Sequence, residues 1–124
     1  MQIKALKINE LSDFIKSDLF SQSDVIPITS IRALSHSNNP RAHSDDISLI
    51  IAISDSNKII GYIGILPDSL QNGERAGWLS CWWVDDIEGK KIGMHLFLMA
   101  IKSWDHKFII TDFTPQTTEI IKKT

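Results

Sequence analysis

Residues 77–104 read GWLSCWWVDDIEGKKIGMHLFLMAIKSW, and the change of pattern inside this stretch decides the fold class. Trp78, Leu79, Cys81, Trp82, Trp83 and Val84 put apolar side chains on both faces of an extended segment, the pattern of a strand covered on two sides. Asp85, Asp86, Glu88 and Gly89 break the run. From about Lys91 the pattern turns helical. Leu96, Phe97, Leu98, Met99, Ala100 and Ile101 are accepted in a helix, and Lys102 falls near its end, where a cation suits the helix dipole. The junction is Gly89-Lys90-Lys91-Ile92-Gly93-Met94. Glycines there let the backbone turn tightly or lie close to a ligand. The first N–H groups of the helix carry partial positive charge, and Lys90 and Lys91 add more, so the junction suits a phosphate. The same glycines also suit a strand-to-helix turn that binds nothing.

Two phosphate loops do not fit. A P-loop requires G-x-x-x-x-G-K-[ST], and Met94 stands where its lysine belongs. A dinucleotide-binding turn requires G-x-G-x-x-G, of which only two glycines can be matched.

Composition narrows the classes further. The chain of 124 residues suits one domain. Its formal net charge of -2 argues against a dedicated nucleic-acid binder. The single cysteine, Cys81, excludes a disulfide framework and a cysteine-cluster zinc site, so no metal site is expected. Its place in the apolar run reads as a small core residue. No apolar run reaches transmembrane length, and MQIKALKINELSDF lacks the apolar core of a secretory signal, which points to a cytoplasmic protein.

In chain order, residues 2–8 read as a first strand. Asn9 or Ser12 is placed to cap one helix carrying Leu11, Phe14, Ile15, Leu19 and Phe20 on a single stripe. Pro27 suits the first turn of a second helix carrying Ile28, Ile31, Ala33 and Leu34. Residues 35–46 are polar and form a loop. A hairpin follows: Ile47–Ile53, a turn at 55–58, and a return strand over 59–66 interrupted by Gly61 and Gly64. Residues 67–75 form a longer turn before the strand 77–84. After the helix, 108–113 reads as a strand parallel to 77–84 by a right-handed crossover. Thr114 and Pro115 open a last helix over 116–123. The fold class is therefore α/β with a mixed sheet.

The loop resembles the acyl-CoA pyrophosphate loop of the GNAT superfamily of N-acyltransferases, [RQ]-x-x-G-x-[GA], which follows a strand and precedes a long apolar helix. It stands here as Val84-Asp85-Asp86-Ile87-Glu88-Gly89-Lys90-Lys91-Ile92-Gly93. Glu88 replaces the family's Arg or Gln, Lys91 replaces its middle glycine, and the approach from Val84 is one residue short. Gly61-Tyr62-Ile63-Gly64 resembles the glycine-bearing third strand of the same family. The order of elements is similar too, up to Ile120-Ile121-Lys122-Lys123-Thr124, where the family continues into a hairpin. The resemblance implies one GNAT-like domain over 1–124 without that C-terminal hairpin, with a homo-oligomer as one way to supply the sheet edge.

What the resemblance implies chemically is N-acyl transfer from acetyl-CoA, or another acyl-CoA, to a small-molecule amine, without nucleic acid or membrane. The acyl-CoA would be held by Trp83, Val84, Glu88, Gly89, Lys90, Lys91, Ile92, Gly93 and Met94. Its pantetheine arm would lie between 77–84 and 108–113. A backbone N–H at the bulged end of the first of these strands, at Trp83 or Val84, would meet the thioester oxygen. Among Asp85, Asp86, Glu74 and His95, Asp85 and Asp86 stand nearest the strand end, and Asp85 is taken as the base. The same aspartates also suit a turn or a helix start. His95 is expected to pack against the sheet. The family's tyrosine acid would fall on Ile121, and the only tyrosine, Tyr62, lies elsewhere. Arg41, His36 and His43 fall on the family's acceptor wall, or form a plain polar loop. Trp78, Trp82, Trp83 and Trp104 are pocket walls in one reading and core in the other. A domain of this fold that binds CoA or a partner without catalysis is the second functional reading.

Overall fold

The structure, a computed structural model, describes residues 1–23, 25–29, 38–40, 42–69, 72–87, 91–105 and 107–110. Their elements run β1 (Gln2–Lys7), a 3-10 turn (Ile8–Glu10), α1 (Leu11–Ile15), α2 (Asp18–Ser21), β2 (Ile47–Ile53), β3 (Ile59–Ser69), β4 (Arg75–Val84), α3 (Gly93–Ser103) and β5 (Phe108–Ile109). The strands form one mixed sheet in the order β1-β2-β3-β4-β5. The first three pairings are antiparallel, and β5 joins β4 in parallel, as the strand–helix–strand crossover requires.

Two apolar clusters cover the two faces, because successive strand residues point to opposite sides. Leu49, Ile51 and Ile53 of β2 pack with Leu6, Leu11 and Phe14 beneath α1 and α2. Ile50 and Ala52 of β2 face the other way, onto Leu96, Phe97, Ala100 and Trp104 of the α3 side. The α3 contacts recur at i, i+1, i+4 and i+8, the spacing of a stripe turned to a sheet.

Several boundaries differ from the sequence reading, each for a local reason. The first strand stops at Lys7, and Ile8 enters the 3-10 turn. The single expected helix is two short ones. At Ser17 the backbone is extended, and its Oγ donates to the Phe14 carbonyl (2.6 Å) and accepts from the Phe20 amide (3.3 Å), so it closes α1 and caps α2. Neither Asn9 nor Ser12 caps either helix: Glu10 stands before α1 without a side-chain cap. β3 runs through Pro67 to Ser69, where a turn was expected. Pro67 pairs with Gly77, whose N–H turns the other way to the Lys107 carbonyl (2.9 Å), and its own missing N–H lies past the end of the β2 ladder. β4 correspondingly begins at Arg75. In β5 the ladder covers Phe108 and Ile109; the expected continuation over 111–113 and the last helix over 116–123 lie outside the described residues. So do Ile31, Ala33, Leu34, His36 and Arg41, whereas Ile28 is buried within the first cluster.

The start of β4 is clamped to the end of α3. Arg75 donates from Nη1 and Nη2 to Oδ1 and Oδ2 of Asp46, both at 2.6 Å, and its guanidinium sits 5.4 Å over the Trp104 ring. Trp104 in turn donates to the Ile47 carbonyl at 2.9 Å. Burial pushes the Asp46 carboxyl up. The Arg75 hydrogen bonds, the His43 amide and the Arg75 charge outweigh it and hold the group below the usual carboxylate range.

Candidate functional site

The junction quoted at the outset lies at the opposite end of β4 from this clamp. At about 3.3 Å per residue, Val84 stands about 30 Å along the strand from Arg75. Two features of the sheet build the site there: a bulge in β4 and a glycine in β3.

The bulge is at Ser80. Ile65 faces Leu79 and Gly64 faces Cys81, so Ser80 is an extra residue on β4. The side chains of Ser80 and Cys81 fill the space beside Gly64, where a Cβ would lie 2.6 Å from each. The extra residue resets the alternation. Leu79, Trp82 and Val84 belong to the α3 face, while Trp83 stacks on Tyr62 across the sheet (centroids 5.5 Å apart) and Cys81 donates to the Pro27 carbonyl on the α1–α2 side. Trp82 stacks on Phe97 of α3 at 5.1 Å. Trp82 and Val84 thus share one face of β4 and Trp83 takes the other. Both faces of β4 carry packed side chains, but the coverage is less complete than the sequence suggested: Cys81, Trp82, Trp83 and Val84 are each half-buried. The β5 ladder meets β4 only at Gly77 and Trp78, and no other strand among the described residues runs along that edge to shield them.

Gly61 brings the helix down onto the strand end. A Cβ there would lie 3.1 Å from Ile92, 3.2 Å from Leu96 and 3.3 Å from Val84. The start of α3 thus rests on β3 directly beside the last residue of β4. The Asp85 amide donates to the Ile60 carbonyl (2.8 Å). Alternation along an antiparallel ladder then turns the Trp83 amide toward β3 and the Val84 amide away from it, toward the β5 side.

α3 begins at Gly93 with Ile92 in the N-cap position, no side-chain cap and no acidic residue in its first turn. The first intrahelical bond runs from the Leu96 amide to the Ile92 carbonyl (2.9 Å). Gly93 and Ile92 are buried against the sheet, Met94 is half-buried and Lys91 is exposed. Glu88, Gly89 and Lys90 lie outside the described residues. Asp85 is half-buried, and its Oδ2 accepts from the Ile87 amide at 3.0 Å, which is turn chemistry at the strand end. Asp86 is exposed. His95 is exposed as well, not packed on the sheet as the sequence suggested, because the buried stripe of α3 runs through Gly93, Leu96, Phe97 and Ala100 and leaves His95 on the outer face. Glu74 stands at the far end of the sheet with the Arg75 clamp, and His43 donates its amide to Asp46 there. A cavity of about 530 Å³ opens at that end, walled by Asp46, Glu74, Arg75, Trp104 and Lys107. It is remote from the α3 N-terminus and shares no residue with it.

The structure therefore brings together Val84, Asp85, Ile92, Gly93 and Met94, and separates them from Glu74 and His43. The bulge at Ser80 lies three to four residues before Trp83 and Val84, the residues whose N–H the resemblance implies for the thioester oxygen. Its traces in the sequence are Ser80, a polar residue in an apolar run, and Gly64, the strand glycine beside which the bulge lies.

Among the described residues no group of histidine, cysteine, aspartate or glutamate side chains is arranged to hold a metal ion. No helix among them is long and apolar enough to cross a membrane.

No protein-family model matches this chain, and no curated protein matches it. Solved structures do. Glucosamine-6-phosphate N-acetyltransferase from Arabidopsis thaliana superposes with a TM-score of 0.62 at 19% identity, over 98% of this chain and 88% of that one. An acetyltransferase of the GNAT family from Streptococcus pneumoniae gives 0.61 at 16%, over 98% and 81%. Ribosomal-protein-alanine N-acetyltransferase from Brucella melitensis biovar Abortus 2308 gives 0.58 at 15%, over 99% and 90%. The chain has the α/β fold of the GNAT acetyltransferases.

Proposed function

We propose that this protein transfers an acyl group from an acyl-CoA, acetyl-CoA first among them, to the nitrogen of a small amine. The observation that carries this reading is the meeting of two backbone features at one point. The outward amide of Val84 ends a half-covered strand, and the α3 N-terminus, without a side-chain cap or an acidic first turn, is set beside it by Gly61. A helix N-terminus of this kind favours phosphate oxygens, and a fixed amide in a half-dry setting favours a developing oxyanion.

The roles follow. Gly93 and Met94, with Lys91, and with Lys90 and Gly89 before them, hold the pyrophosphate. Ile92 anchors the loop to the sheet. Val84, with Trp83 beside it, lines the thioester, and the Val84 N–H binds the carbonyl oxygen. Asp85 takes the proton of the attacking amine, directly or through a water. As the new C–N bond forms, the C–S bond breaks, and water returns a proton to the departing thiolate. Glu88, in place of a basic residue, leaves the phosphates to backbone amides and lysines. The second reading, CoA binding without catalysis, keeps the same loop roles and drops that of Asp85. Incubating the protein with acetyl-CoA and a panel of amines, with release of free thiol followed, separates the two. Amine-dependent release lost in Asp85→Asn supports transfer, whereas CoA binding with no release for any amine supports the second reading.

A further inference from the structure

The turn joining β3 to β4 carries the dipeptide Asn72-Gly73, and we infer that Asn72 is a site of spontaneous succinimide formation in the folded protein. Three observations converge on it. Asn72, Gly73 and Glu74 are all exposed, so water and base reach the backbone. Gly73 has no side chain, its φ is +84°, and the space a Cβ would fill is empty to 4 Å, so no bulk on the following residue hinders attack by its nitrogen. The Glu74 amide donates to Asn72 Oδ1 at 3.0 Å, which holds the side-chain carbonyl over the following backbone and polarises it where negative charge develops on attack. The other asparagines, Asn9, Asn38, Asn39 and Asn57, precede Glu, Asn, Pro and Lys, whose side chains or missing N–H hinder the same attack.

The step balances with water as co-reactant. The Gly73 nitrogen, having lost its proton to base, bonds to Asn72 Cγ. The Cγ–Nδ2 bond breaks, and ammonia leaves with protons from solvent. Water then opens the five-membered ring at either carbonyl, giving aspartate or isoaspartate. Either product adds a carboxylate beside Glu74 at the rim of the cavity that holds the Arg75–Asp46 pair. Isoaspartate also lengthens the backbone of the β3–β4 turn by one carbon.

The test is incubation of the native protein in mildly alkaline buffer, followed by proteolysis, mass spectrometry and enzymatic methylation of isoaspartate. The expected result is the amide-to-acid mass difference confined to the peptide containing Asn72, with both products present and several-fold more conversion there than at any other asparagine. Asn72→Gln, which would need a larger ring, removes the signal without altering the fold by circular dichroism. Retention of the Asn72 amide in the folded protein, while the urea-unfolded chain converts at that position, would overturn the inference. Equal conversion at several asparagines would overturn it as well.

Discussion

Gly77 and Gly61 both face α3, yet the neighbours of an added methyl differ in how far they can give. At Gly77 a Cβ would lie 2.6 Å from Ile65 Cγ2 and 2.9 Å from the Trp104 ring, both fixed in the core. At Gly61 the contacts of 3.1–3.3 Å are with the ends of Ile92, Leu96 and Val84 side chains. Gly77→Ala should therefore lower stability by about 1–3 kcal/mol in urea denaturation, the range for overpacking a tight core, and Gly61→Ala by clearly less. A larger loss at Gly61 than at Gly77 would contradict this packing. Asp46 is the other residue with a defined outcome. Its folded pKa lies below the unfolded value, so its stabilisation is complete above about pH 4 and declines as pH falls through the lowered folded value. Asp46→Asn should cost about 2 kcal/mol near neutrality, because it removes the charge and turns one of the two oxygens that accept from Arg75 into an N–H donor, and the gap between variant and parent should narrow in acid. A gap that stays constant down to pH 3 would show that the pair contributes no pH-dependent stability.

At the scale of elements, α3 separates packing from pattern. Leu96 is fully buried and Leu98 is 47% exposed, although both sit in one continuous apolar run. Leu96→Ala should cost about 2–5 kcal/mol and Leu98→Ala should be near neutral, as measured by thermal or urea unfolding. The same helix shows what the chain discloses unaided. A run as apolar as LFLMAI marks a helix and its approximate end, but not which side meets the sheet, so His95 was placed inward when it points out. The strands Ile47–Ile53 and β4 were legible from apolar runs between turn residues, and their order from the chain itself. The Ser17 break was not, because a serine on a helix reads the same whether it caps a turn or faces water. Pro67 misled for a physical reason: proline usually stops a ladder, and here it stands where the ladder asks for no N–H. The bulge at Ser80 depends on register with Gly64, a pairing that no local pattern encodes.

For the whole molecule, three layers place the outward edge of β4 and the start of α3 at one point, and everything chemical proposed for the chain depends on that point binding acyl-CoA. The loop glycines suggested a cradle in the sequence; of the two, only Gly93 lies among the described residues. That Gly61 and the β4 bulge bring the Val84 amide beside it was not legible there, since both act across strands. Isothermal titration with acetyl-CoA and with CoA, on the parent and on Gly93→Asp, probes this directly. Binding of both ligands by the parent, weakened more than tenfold in a folded Gly93→Asp protein by bulk and negative charge at the helix N-terminus, is the expected result. No binding by the parent, or equal binding by both proteins, would contradict it and leave the junction as a turn.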